Sequence, residues 1–240
     1  MNSPEWVVVF DCDGTLIPKS YGSLYDIVDK NGGLNGKYLK ASDEMRRHYL
    51  SLPTLTLKDQ KDWFIDTMHG YIQSGLTVDT IIAALRGVKF RVDVLDCFQR
   101  LKNRNTPQAI VSYGIAPFIH QVIKENSAHG LLDKVYAAEL FFNDDLQVNG
   151  FDMDTVVFPE NKGEFSLKFA KLQGVPPERI LAVGDSHVGD RNLGYLPENR
   201  LGIAEDAAQA EKLKACMGHV VISHDFAPVT RWLEEKMDGK

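Results

Sequence analysis

The sequence is short of cysteine, of long apolar stretches and of surplus positive charge, and each shortage removes a class of protein. Its three cysteines, Cys12, Cys97 and Cys216, form an odd set without CxxC or metal-ligand spacing. Neither a disulfide framework nor a thiolate metal site is therefore expected, and the three read as reduced thiols of an intracellular protein. No apolar run approaches the roughly 20 residues that cross a bilayer. The opening MNSPEW also lacks the basic segment and long hydrophobic stretch of a signal peptide. A soluble, cytoplasmic protein with no membrane partner is the expectation. With 33 acidic against 27 basic residues, the formal net charge of −6 argues against nucleic acid as the main partner. Basic patches are local, notably Arg46-Arg47-His48, which reads as the solvated face of a helix.

What is present is a large apolar fraction. At 240 residues and 44% hydrophobic, the chain can bury a sizeable core as one or two domains. Its most informative stretch is WVVVFDCDGTL, residues 6–16. Trp6 to Phe10 form a run suited to a strand buried on both faces of a parallel sheet. The run stops at Asp11, Cys12, Asp13, Gly14 and Thr15. Side chains alternate along extended chain, so Asp11 and Asp13 share one side and Cys12 points to the other, into the core. Gly14 lets the backbone turn away. Open α/β sheets place their ligands at such strand ends.

Residues 18–87 then read as helical. Apolar positions recur in Tyr21–Asp29, in Tyr38–Leu50 after a glycine-rich NGGLNG connection, and in Leu57–Ile72. Thr77 suits the N-cap of a helix through Ile81, Ile82 and Leu85, and Gly87 ends it. From Phe90 onward helices and strands alternate. Val92, Val94, Leu95, Phe98 and Leu101 give one helix its apolar face. A strand QAIVS follows Pro107 and ends at Ser112-Tyr113-Gly114, and Pro117–Glu125 is the next helix. Lys134–Phe141 reads as a strand, and FFNDDLQVNGF as a β-hairpin turning at Asn143–Asp145. A helix with Phe165, Phe169 and Leu172 on its face follows Asn161-Lys162-Gly163. Beyond Pro176-Pro177, the strand Arg179–Val183 ends in GDSHVGD, and short strands at Leu201–Ala204 and His219–Ile222 complete the pattern. The fold class is α/β, a parallel-sheet Rossmann-like core with a small helical unit inserted after the first strand. The expected division is 1–17 and 88–240 for the core and 18–87 for the insert.

Three apolar strands thus end in polar groups: Asp11 with Asp13, then Ser112, then Asp185 with Asp190. Lys162 opens the helix leading to the third. If the strands are parallel neighbours, these groups converge. Two unit charges roughly 4 Å apart repel by about 4 kcal/mol at an effective dielectric near 20, so several carboxylates in one crevice need a cation. Oxygen ligands without paired histidines or thiolates favour a hard ion such as Mg²⁺, which shares its shell with water and substrate phosphate. Ser112, Lys162 and the amides of Tyr113 and Gly114 suit the remaining phosphate oxygens.

D-x-D-G-T, a strand-terminal Ser, an isolated Lys before a helix and G-D-x₄-D, in that order over residues 7–190, resemble the haloacid dehalogenase-like phosphatases. The insert falls where members with a helical C1 cap carry it. The stretch VYAAELFFNDDLQVNGF looks like the phosphoserine phosphatase branch. The resemblance implies Mg²⁺-dependent hydrolysis of a small phosphorylated metabolite. It casts Asp11 as nucleophile and Asp13 as general acid, then base. Thr15 steadies the Asp13 side of the turn. Ser112 and the amides of Tyr113 or Gly114 grip phosphate, while Lys162 neutralises Asp11 and the transferred group. Asp185 ligates Mg²⁺ with the Asp11 carboxylate and the Asp13 carbonyl, and Asp190 orients metal-bound water or Lys162. A phosphomutase or phosphotransferase of the same fold, or a receiver-like phosphoacceptor module, uses a similar acidic cluster.

The chain departs from the phosphoserine branch in two places. It has Pro18-Lys19-Ser20 where that branch carries a glutamate, and Gly14 where a serine is usual. Poor phosphoserine turnover is therefore expected, with a sugar phosphate, phospho-amino acid analogue or nucleotide as candidate substrates. Lys19, Arg46 and Arg47 are candidate cationic contacts in the insert, and Tyr21, Tyr25, Trp63 and Tyr71 aromatic ones. His187 in the last motif, the Asp144-Asp145 pair and Asp152 with Asp154 read as loop residues. Neither monomer nor homodimer follows from the sequence.

Overall fold

The structure, a computed structural model, describes residues 4–31, 44–45, 47–49, 51 and 56–239. Strand β1, Val7–Phe10, is completely buried and lies at the centre of a seven-stranded sheet. It pairs in parallel with β2, Gln108–Ile115, and with β5, Ile180–Gly184. Beyond β2 come β3, Lys134–Phe142, in parallel, and β4, Val148–Asp152, as the antiparallel arm of a hairpin. Beyond β5 come β6, Arg200–Ala204, and β7, His219–Ile222, both parallel. The spatial order β4-β3-β2-β1-β5-β6-β7 reverses direction around β1, so the carboxyl end of β1 opens onto a crevice.

Alternation along β1 divides the core. Val8 and Phe10, with Cys12 beyond, face one layer, where Phe10 meets Phe98 and Phe226 at ring separations of 5.4 and 6.0 Å. Phe98 belongs to α4, Val94–Asn103, and Phe226 precedes the helix Ala227–Met237. Val7 and Val9 face the other layer, against Phe169 and Ala170 of α6, Lys162–Leu172. The run is apolar throughout because both its faces are covered.

Among the described residues of 18–87 the longer regular elements are helices: α1, Leu24–Asn31; α2, Leu57–Ser74; and α3, Val78–Leu85. Thr56 and Asp59 form a reciprocal capping box at the start of α2. Thr77 caps α3 by accepting from the Thr80 N–H, as its residue type implies. The helix expected over Tyr38–Leu50 falls largely outside the described residues, as do Arg46 and most of NGGLNG; residues 44–45 and 47–49 are helical. The insert is tied to the β3–β4 hairpin, because the Val78 N–H donates to the Leu146 carbonyl and the Val148 N–H to the Leu76 carbonyl.

Several local expectations shift. In α4 the buried residues are Val94, Cys97, Phe98 and Leu101, while Val92 and Leu95 are 69% and 39% exposed. An i, i+3, i+4, i+7 stripe needs a residue at 97, and a small thiol fills it as well as a hydrocarbon would. Leu172 is likewise 68% exposed, because Lys162, Ser166, Phe169 and Ala170 define the inward face of α6. Strand β2 continues through Ser112–Gly114 to Ile115, with a register shift after Val111. α5, Ala116–Glu125, follows directly and packs beside β3.

Among the described residues no helix is long and apolar enough to cross a membrane. Phe98 stacks edge-on against Phe90 and tilted against Phe10, joining the returning linker to β1. Phe98→Ala is therefore expected to cost about 3–5 kcal/mol, measured as a fall in the urea unfolding midpoint.

Candidate active site

The sheet brings the polar strand ends together. The Asp11 N–H donates to the Val183 carbonyl at 2.9 Å, so Asp11 still rides on the β5 edge beyond the end of β1. The chain then closes a tight turn in which the N–H groups of Thr15, Leu16 and Ile17 all point at the Cys12 carbonyl. Asp11 and Asp13 line one cleft while Cys12 is sealed in the core, as alternation requires. Burial raises the Cys12 thiol well above its ordinary pKa, so it stays protonated and packs as a hydrophobe.

Lys162 sits at the first position of α6 and reaches between two carboxylates. Its Nζ donates to Asp11 Oδ1 and to Asp190 Oδ1, both at 2.6 Å. The second Asp190 oxygen accepts the N–H groups of Asp185 and Ser186, each at 2.9 Å, which folds the loop after β5 around it. Asp185 is in turn held by the Thr15 hydroxyl at 3.1 Å and by Lys19 Nζ at 2.8 Å. Gly14 makes this approach possible. Its φ is +79°, and a Cβ there would sit 2.4 Å from Asp185 Oδ2.

Ser112, also buried, accepts the Gly114 N–H through its hydroxyl at 3.2 Å. Asp11, Asp13, Ser112, Tyr113, Lys162, Asp185 and Asp190 line the same cleft, of about 390 Å³. Thr15 and Gly114 stand behind it, acting on Asp185 and Ser112. Thr15 thus serves Asp185 more directly than the Asp13 side of the turn. Of the weaker candidates, Tyr25, Trp63 and Lys19 line the cleft, whereas Tyr21 and His187 are exposed outside it. Tyr71 is buried against Asp29, and Arg46 lies outside the described residues. Asp144 and Asp145 are exposed at the hairpin turn, and Asp152 caps a short turn by accepting the Asp154 N–H.

The cluster is short of positive charge. Carboxylate oxygens of Asp11, Asp185 and Asp190 lie within 4.8 Å of one another, with Lys162 as the buried cation among them. Burial, then the Asp190 charge, pushes Asp11 well above the usual carboxylate range against the pull of Lys162. Asp185 is raised for the same two reasons, with Lys19 opposing. Burial would discharge Lys162, but Asp11 and Asp190 more than compensate and keep it an ammonium. Burial also lifts Asp13 to about 7, against the Leu24 N–H bond to its Oδ2. Its other oxygen is buried and has no hydrogen-bond partner among the described residues. Hard oxygen donors, an excess of negative charge and an open cleft fit a divalent cation.

Two parts of the arrangement were not anticipated. Lys19 pairs with a site aspartate instead of standing ready for substrate. Arg91, almost fully buried, donates to the carbonyls of Gly14 at 2.7 Å and Thr15 at 3.0 Å, and to Glu205 at 2.6 Å. The only trace of Arg91 in the sequence is a charged residue within the mainly apolar stretch VKFRVDVL.

Comparison with known proteins adds the following. A model of the haloacid dehalogenase-like hydrolases matches residues 7–191. The phosphoserine phosphatase of Methanocaldococcus jannaschii is 26% identical over 216 residues, spanning 90% of this chain and 92% of that protein. A substrate-bound phosphoserine phosphatase superposes with a TM-score of 0.68 at 16% identity, over 96% of this chain and 99% of that one. Cytosolic 5'-nucleotidase IIIB bound to cytidine gives 0.70 at 19% identity, over 98% of this chain and 87% of that one.

Removing the cation tests the electrostatic account without reference to chemistry. Lys162→Met leaves Asp11 and Asp190 buried side by side and is expected to destabilise the fold by about 3–5 kcal/mol. Urea denaturation measures it, and an unchanged midpoint would refute the charge balance described.

Proposed function

This chain belongs to the haloacid dehalogenase-like hydrolases, and from that footing we propose that it is a Mg²⁺-dependent phosphatase of small phosphomonoesters working through an aspartyl-phosphate. The observation that carries the reading is the meeting of Asp11, Lys162, Asp190, Asp185 and Ser112 on one cleft beneath Asp13. Residues 1–17 and 88–240 form the catalytic core in this reading, and 18–87 the cap.

Substrate phosphate rests against the Ser112 hydroxyl, which the Gly114 N–H orients, the Tyr113 amide and the Lys162 ammonium. An Asp11 carboxylate oxygen attacks phosphorus as the ester oxygen departs, forming an acyl phosphate on Asp11. Asp13, held near neutrality by burial, gives its proton to the departing alkoxide. Now a carboxylate, Asp13 takes a proton from water, whose oxygen attacks the same phosphorus. The Asp11–phosphate bond breaks, releasing inorganic phosphate and restoring both aspartates. Lys162 pulls Asp11 toward its ionised form, against burial and the Asp190 charge, and opposes the charge that builds on the transferred group. The Asp11 and Asp185 carboxylates with the Asp13 carbonyl would hold Mg²⁺, which when bound supplies charge neutralisation for the phosphoryl group. Asp190 fixes Lys162 and the loop that carries Asp185.

Purified protein is expected to release phosphate from 4-nitrophenyl phosphate with Mg²⁺ and to stop on adding EDTA. Asp11→Asn should reduce kcat by at least about 1,000-fold and Asp13→Asn by about 100-fold or more. Phosphate should appear one-for-one with alcohol even when a second alcohol is supplied, which separates hydrolysis from phosphotransfer. Wild-type turnover by Asp11→Asn would overturn the mechanism.

A further inference from the structure

Above the charged floor the cleft has a second wall that none of these steps uses. Ser23 and Tyr25 at the start of α1, Trp63, Phe64 and Thr67 of α2, and Tyr113 of β2 build it. Four of the six carry hydroxyls, and each hydroxyl donates inside the protein. Tyr25 donates to the Tyr113 carbonyl and Tyr113 to the Gln60 carbonyl, both at 3.2 Å. Ser23 donates to Asp26 and Thr67 to the Trp63 carbonyl, both at 2.9 Å. What they offer the cavity is carbon and ring surface. Trp63 itself is held flat against Tyr49, with centroids 5.4 Å apart and planes 11° apart. Asp29 also borders the cleft and accepts the Tyr71 hydroxyl at 2.9 Å. Lys19, the cleft's lysine outside the floor, lies on Asp185.

Such a wall discriminates by solvation. A polyol or amino-acid alcohol entering it gives up hydrogen bonds to water and regains few, which costs affinity. A flat ring gives up little and gains dispersion and offset stacking against a preformed aromatic plane. The cleft also has room beyond a phosphate group, at a volume typical of small-molecule sites. We propose that Trp63 selects phosphomonoesters whose alcohol carries a flat aromatic or heteroaromatic ring, the ring lying against the indole while the phosphate sits on the floor. This rests on the phosphatase reading and narrows it: sugar phosphates and phospho-amino acids become poor substrates.

Phosphonates test it, because their carbon–phosphorus bond is not the bond the reaction breaks. Calorimetry on the Mg²⁺-loaded protein is expected to show phenylphosphonate binding at least tenfold tighter than methylphosphonate. Phenylphosphonate should also change tryptophan emission, since Trp6 is covered by the Arg179 guanidinium at 4.6 Å and Trp232 is only 8% exposed. Trp63→Ala should bring the two affinities within threefold, while Trp63→Phe, the variant least disturbing to folding, keeps part of the preference. Equal affinities in the wild type, or a preference untouched in both variants, would overturn the role of Trp63 and leave the phosphatase reading standing. Failure of both phosphonates to bind would overturn both.

Discussion

One buried ammonium between two buried carboxylates organises this molecule. Lys162 at 2.6 Å from both Asp11 and Asp190 joins the end of the central strand, the first turn of α6 and the loop after β5. Taking an ion out of water costs several kcal/mol, so such a group persists only where its partners are themselves satisfied. Asp190 meets that condition through the N–H groups of Asp185 and Ser186, while the backbone N–H of Asp11, bonded to the Val183 carbonyl, fixes where its carboxylate sits. The consequence is geometric. A loop that would otherwise be free to move must present Asp185 to the same crevice as Asp11, where a further positive charge is still needed.

The sheet order explains why these groups meet. Parallel strands in register, Phe10 beside both Ile110 and Val183, bring their carboxyl ends to one level. Helix α6, crossing the opposite layer, starts at that level and delivers Lys162 there. Arg91 secures the arrangement from behind. Its N–H donates to the Leu16 carbonyl at 2.8 Å and its guanidinium to the carbonyls of Gly14 and Thr15, so the chain leaving the core and the chain returning from the insert are bonded together. Through Glu205, which also accepts the Lys19 N–H, the same clamp extends to the first residues of the insert.

The β1 motif was legible because its signals are local. An unbroken apolar run means a strand covered twice, and alternation past its end separates Asp11 and Asp13 from Cys12. Thr77 and the α2 periodicity were equally readable. Errors gathered where a residue's environment is made by distant partners. Composition ranks Leu95 as core ahead of Cys97, whereas the packing of α4 against Phe10 decides which stripe turns inward. Arg91 leaves no more than a charge in an apolar stretch and the Lys19–Asp185 pair leaves no local signal, since their partners lie 75 or more positions away. Thr15 belongs to the same class: its bond to Asp185 spans 170 positions. Sequence patterns name the groups that form a site, and only the fold says which group holds which.

The two halves of the cleft answer opposite demands. A phosphoryl group needs fixed charge and N–H donors, which the sheet edge supplies through short bonds among buried ions. The rest of a substrate must be distinguished from other alcohols that carry the same phosphate, and the floor has no means of doing so. That discrimination falls to surface supplied by α1, α2 and Tyr113, where polar tips are turned back into the protein. The two demands meet at Asp13. The Leu24 N–H at the start of α1 donates to its carboxylate at 3.3 Å, and Ser23 and Tyr25 border the same space. The residue assigned to protonate the leaving alcohol therefore stands where the charged floor gives way to the apolar wall. Burial there both lifts its pKa to about 7 and places it beside whatever alcohol the wall admits.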